Sequence, residues 1–91
     1  MSPTPQAQLP LFQDLKEVPI KILTVSERPP GHRTLGPIIK KTTKAIQVHY
    51  YNWILWIPRK AARRIQGTQT HTAPLWAIET AKAHPSAKRL D

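Results

Sequence analysis

Thr43-Lys44-Ala45-Ile46-Gln47-Val48-His49-Tyr50-Tyr51-Asn52-Trp53-Ile54-Leu55-Trp56-Ile57 is the stretch on which the fold turns. Ile46, Val48 and Tyr50 recur at every second position against Gln47, His49 and Tyr51, the period of a half-buried strand. Asn52 is the expected tight-turn residue, because asparagine tolerates positive φ. Residues 53–57 then return as the second arm of a hairpin over residues 43–57. That arm is apolar on both faces, the pattern of a central strand covered on each side. Trp53 and Trp56 stand three apart and so face opposite ways. Trp53 and Tyr50 are expected in the core, Tyr51 and Trp56 toward solvent.

Outward from the hairpin, Pro58 suits the first turn of a helix and Gly67 its end. Between them Ala61, Ala62 and Ile65 form an apolar side, and Arg59, Lys60, Arg63 and Arg64 share an arc of about 140°. A polar linker follows. Thr72 is placed to cap a second helix over residues 73–84, with Trp76, Ala77, Thr80 and Ala81 in one stripe and Pro85 ending it. Upstream, residues 18–25 alternate like a strand, with Pro19 marking an edge or a delayed start. Residues 26–33 hold strong breakers and read as a loop, and residues 35–39 begin another strand. The expectation is an α+β domain: a small three-stranded, mostly antiparallel sheet followed by one or two short C-terminal helices. Residues 1–16 form a flexible arm, residues 17–84 the domain and residues 85–91 a tail.

Charge is the second strong signal. The 91 residues carry a net charge of +9. From Arg28 to Ile78 there are nine lysines and arginines and neither an aspartate nor a glutamate. Such a surface attracts phosphates and releases their counterions, and nearby rings stack on exposed bases. The densest cluster is Arg59, Lys60, Arg63 and Arg64, with Lys40, Lys41 and Lys44 entering the hairpin. With Tyr51 and Trp56 as stackers, these are the candidate contacts to DNA or RNA, made mainly through phosphate. A well-solvated basic face is the plain alternative. Base-specific reading asks for Asn, Gln or Arg directed at base edges, and a short cationic helix offers little of that.

In the arm, Gln8-Leu9-Pro10-Leu11-Phe12 resembles the bacterial sliding-clamp-binding motif, Gln-Leu-x-Leu-Phe, at all four defining positions. The resemblance implies that Leu11 and Phe12 fill an apolar pocket on the clamp, with Leu9 beside them and Gln8 bonding at the rim. Pro10 lowers the ordering cost by limiting the free conformations. The motif occurs in polymerases, repair factors and replication-control proteins, and none of their catalytic domains is present. It therefore implies recruitment to replication and nothing more. Leu9, Leu11 and Phe12 packing onto the domain itself is the competing reading. Thr43-Lys44-Ala45-Ile46-x-Val48, then a turn, then Trp56-Ile57-Pro58-Arg59 also resembles a hairpin pattern in small phage and plasmid proteins of unassigned function, over about a fifth of the chain.

Catalysis and cofactors are not expected. The acids Asp14, Glu17, Glu27, Glu79 and Asp91 form no evident pair for metal-assisted chemistry. His32, His49, His71 and His84 are dispersed and lack ligand spacing. There is no cysteine, which fits a reducing cytoplasm. The longest apolar run is far short of the roughly 20 residues of a membrane span. About 60 core-forming residues lie near the lower limit for independent folding, which leaves room for a partner or a second copy. Three function classes stay open. The first is a nucleic-acid-binding accessory protein of bacterial, phage or plasmid origin recruited to the clamp. The second is an inhibitor or interaction protein acting on the clamp, and the third is a basic structural component of a ribonucleoprotein.

Overall fold

The computed structural model describes residues 17–91. In chain order they form β1 (Lys21–Leu23), a 3-10 turn (Val25–Glu27), β2 (His32–Thr34), β3 (Ile38–Lys41), β4 (Ala45–Tyr50) and β5 (Trp53–Pro58). β6 (Arg63–Ile65), β7 (His71–Pro74), α1 (Leu75–Ala83) and β8 (Lys88–Arg89) complete the set. Two four-stranded sheets result, ordered β3-β4-β5-β8 and β1-β6-β7-β2. The α+β class stands. The single three-stranded sheet is corrected to eight strands in two sheets, with one α-helix, among the described residues.

The hairpin is as its alternation reads. β4 and β5 pair antiparallel from Ala45↔Pro58 to Tyr50↔Trp53. The pairs Ile46↔Ile57 and Val48↔Leu55 put four fully buried aliphatic side chains on one face. Each contributes about 1.5–3 kcal/mol by leaving water, an upper estimate because unfolded chains already bury some surface. Ile78 and Ala81 of α1 join that cluster, and Tyr50 closes it at the turn end. Trp53 is partly buried against it, with Lys82 and Arg89 each 5.6 Å from its ring. The positive φ of the turn falls on Tyr51 (53°) and not on Asn52. Asn52 instead accepts the Leu90 N–H at 2.8 Å through its carbonyl. Residues 85–91, expected as a tail, therefore supply β8, which pairs with Trp53 and Ile54.

The helix expected after Pro58 does not form. Ala61 and Ala62 donate to the Pro58 carbonyl at 3.0 and 3.2 Å, a single tight turn. Beyond it β6 runs parallel to β1 and antiparallel to β7. A segment this short lacks the length that sustains an isolated helix, whereas two neighbouring strands offer it hydrogen bonds on both edges. Gly67, at φ 80°, serves the β6–β7 turn and not a helix end. The second helix starts at Leu75 with Pro74 before it, and Thr72 and Ala73 belong to β7. Its buried residues are Ala77, Ile78 and Ala81, while Trp76 is 62 % exposed.

Gly36 bridges the two sheets. Its N–H donates to the His49 carbonyl at 2.7 Å, and the Leu35 N–H donates to the His71 carbonyl at 2.7 Å. A Cβ on Gly36 would lie 2.8 Å from the same His49 oxygen. The close approach of two backbones requires glycine here.

Candidate nucleic-acid interface

The expected binding cluster 59–64 is split by the structure. Arg59 is 5 % exposed. Its guanidinium meets the Glu17 carboxylate at 3.0 Å and donates to the Thr42 carbonyl at 2.9 Å. Arg59 therefore fastens the start of the described chain to the β3–β4 loop and does not join a cationic helix face. Lys60 remains exposed at the turn. Arg63 and Arg64 are successive residues of a strand and point to alternate faces. Arg63 donates to the Lys60 and Ala62 carbonyls at 2.7 and 2.8 Å, and Arg64 to the Thr68 carbonyl at 2.8 Å. These bonds hold two guanidinium groups in place while leaving other donors outward.

β6 gathers cations from distant parts of the chain. Lys21 is the register partner of Arg63 in the parallel pair. The His32 imidazole, near this group, is held below its ordinary pKa by burial first and then by the charges of Arg63 and Arg28. On the other side, His71 is likewise lowered, chiefly by burial, with Arg64, Lys41 and Arg59 acting in the same direction. The hydrogen bond between His71 Nδ1 and the Gln69 carbonyl, 2.9 Å long, opposes that shift. Burial is the first cause of both shifts, and the cations on each flank of β6 add a smaller repulsion in the same direction. An anion placed there would relieve it.

The surface between β3 and the β6–β7 turn is concave. Ile38, Ile39, Lys40, Lys41 and Gln69 line a cleft of about 490 Å³. β3 is an edge strand of its sheet, so the cleft is open along one side. Lys40 and Lys41, named from sequence, are both exposed here. Lys44 stands apart at the β3–β4 loop. Of the two expected stackers, Tyr51 is 85 % exposed at the hairpin tip, with its ring edge-on to Tyr50 at 4.8 Å. Trp56 is only half exposed and lines a different, apolar groove against α1. Gln8, Leu9, Leu11 and Phe12 lie outside the described residues.

Three ion pairs occur among the described residues: Arg59 with Glu17, Lys82 with Glu79 and Arg89 with Asp91. Lys21, Arg28, Arg33, Lys40, Lys41, Lys44, Lys60, Arg63, Arg64 and Lys88 are in no ion pair with another described residue. Sequence reasoning missed Lys21, Arg28 and Arg33. Lys21 sits in an N-terminal third whose charges nearly cancel, and only strand pairing brings it to Arg63. No group of three or more metal-ligating side chains comes together among the described residues. None of their helices is long and apolar enough to cross a membrane. Comparison with protein-family models, with curated proteins and with solved structures finds no match.

Proposed function

We propose that this chain is a small, non-enzymatic accessory protein that holds DNA or RNA by its phosphates and is recruited to a replication sliding clamp through Gln8, Leu9, Leu11 and Phe12. The observation that carries the nucleic-acid reading is the set of cations on both flanks of β6 that have no acid partner among the described residues. Like charges this close raise the energy of the free protein, and a polyanion lowers it while releasing its own counterions. Lys40 and Lys41 take one backbone stretch along the β3 cleft, Lys21, Arg28 and Arg63 a neighbouring one. Tyr51 offers its ring to an unpaired base. Arg59 has no part in this surface. The clamp reading is supported by the pentapeptide alone.

The test is a titration of a fluorescent oligonucleotide at several salt concentrations. Affinity should fall by about an order of magnitude or more between roughly 50 and 200 mM salt. Replacing Lys21, Lys40 and Lys41 by glutamine removes three exposed charges without touching a backbone hydrogen bond. That variant should keep its circular dichroism and lose about 0.9 from the salt slope for each phosphate contact removed. An unchanged slope, or an affinity indifferent to salt, overturns the reading. Clamp recruitment is tested separately, by the loss of clamp binding in Leu11→Ala/Phe12→Ala.

A further inference from the structure

The register of β3, β4, β5 and β8 sorts their side chains onto two faces, because residues directly opposite share a face and successive ones alternate. One face holds Ile46, Val48, Leu55 and Ile57, all fully buried. The other carries two rungs. Lys40, Gln47 and Trp56 make the first, through the pairs Lys40↔Gln47 and Gln47↔Trp56. His49, Ile54 and Lys88 make the second, through His49↔Ile54 and Ile54↔Lys88. None of these six residues is buried. No acid stands among them, and a lysine ends each rung, one at the β3 edge and one at the β8 edge.

Lys40 reaches this open face through an irregularity in β3. The register shifts between Ile38 and Lys40, so that Ile38 pairs with Val48 of the buried face and Lys40 with Gln47 of the open one. In a regular strand, residues two apart share a face, and Lys40 would follow Ile38 to the buried side. A bulge re-aims a side chain in this way.

Trp56 and the His49 imidazole are the two rings on the open face. As diagonal neighbours they stand about 7–8 Å apart at the usual sheet spacing. Stacked bases in a duplex rise about 3.4 Å per nucleotide along each strand. Rings at twice that distance therefore suit only bases that have been spread apart. A duplex keeps its base faces against one another and offers this surface phosphates alone. Beyond Trp56 lies an apolar groove of about 530 Å³, lined by Ala45 and Pro58 on one side and by Trp76 and Ala77 of α1 on the other. Trp76 is 62 % exposed, so a further ring surface adjoins the first.

We infer that the open face of β3-β4-β5-β8 seats single-stranded nucleic acid, with bases against Trp56 and His49 and phosphates at Lys40 and Lys88. The Gln47 amide between them bonds to a base edge. Stacking of this kind tolerates any sequence, because every base has a π-face, and flanking cations follow the backbone. The seat rests on the nucleic-acid reading and narrows it to unpaired strands. The cations around β6 attract either form; the open face discriminates between them.

The test compares a fluorescent oligothymidylate of about twelve nucleotides with a duplex of equal length, in DNA and RNA arms, at several salt concentrations. The parent should hold the single strand about tenfold more tightly than the duplex. Trp56→Leu should weaken single-strand binding by about tenfold and leave duplex binding unchanged. Ile54→Glu, which sets an acid between the rungs, should act in the same direction, and circular dichroism checks that both variants keep the fold. Lys88→Gln, at an exposed site, tests the face without disturbing packing. It should take about 0.7 from the single-strand salt slope and nothing from the duplex slope. A loss in either arm or in both supports the seat and identifies the sugar it accepts. Equal affinity of the parent for the two forms overturns the seat, as do Trp56→Leu and Lys88→Gln variants that bind single strands like the parent. In both cases a steep salt dependence leaves the phosphate reading standing. Binding of neither form overturns both. A parent that self-associates, and that Ile54→Glu returns to monomer with single-strand affinity intact, would place a second copy on the face and overturns the seat.

Discussion

The hairpin β4–β5 and the strand β6 follow one another along the chain, yet they hold their places by different means. The hairpin carries its own instructions: alternating side chains, a two-residue turn, and a face whose Ile46, Val48, Leu55 and Ile57 are fully buried. β6 carries three half-buried residues, Arg63, Arg64 and Ile65. It is a strand because β1 and β7 lie on either side of it. One region is specified locally and stabilised by burial, the other is specified by its neighbours and left free to hold charge. The surface with most spare positive charge accordingly sits on the less buried sheet.

The largest expected effect sharpens that contrast. Leu55→Ala should cost about 2–5 kcal/mol by removing buried methyl groups and leaving a cavity, whereas Ile65→Ala should cost less than about 1.5 kcal/mol. Urea unfolding of both variants reads the difference. Equal losses would mean that β6 is held by burial as firmly as the hairpin. Next comes Arg59→Met, which unties Glu17 and the Thr42 carbonyl. A loss of about 1.5–3 kcal/mol is expected for hydrogen bonds made by a charged group, against a change within about 0.5 kcal/mol for the adjacent surface substitution Lys60→Gln. Matching values would return Arg59 to the charged surface.

Gly36→Ala tests the junction between the sheets. The added Cβ meets backbone at His49, which cannot swing aside like a side-chain tip. About 1–3 kcal/mol is expected for the forced shift, seen as a lower urea midpoint. The smallest effect is pH-dependent. His32 and His71 both have folded pKa values below the ordinary 6.5, so the unfolded chain binds more protons once pH falls below about 6.5. Their contribution to stability is complete above that pH and declines on acidification, until both states are protonated below the folded values. Thermal melts between pH 7.5 and 5 should show the decline, and His71→Gln should flatten it.

Much of the hairpin was legible because the alternation of Ile46, Val48 and Tyr50 says the same thing in any context. Residues 59–66 mislead for the converse reason. Pro58, a pair of alanines and Ile65 make a passable helix pattern, and nothing within that window announces a partner strand some forty residues earlier. Residue type points to Asn52 for the positive φ, but the two-residue turn places it on Tyr51 and uses the Asn52 carbonyl to hold Leu90. Lys40, Lys41, Lys60, Arg63 and Arg64 were legible as exposed or half-exposed cations. That Arg59 differs from them depends on Glu17, which composition could not bring near it.

The parallel pairing of β1 with β6 joins residues forty-two positions apart, Lys21 with Arg63. Contacts of such high sequence separation carry a loop-closure entropy that the two-residue hairpin avoids. β4 and β5 should therefore condense early, and β1 should dock among the last elements. The same asymmetry operates in the native state, where β1, an edge strand paired on one side only, is open to release by local unfolding. Such an opening would carry Lys21 away from Arg63 while Glu17 and Val18 stay pinned at Arg59 and Thr43. β1 would then behave as a hinged flap, and the cation row across β6 would exist in full only while that flap is shut.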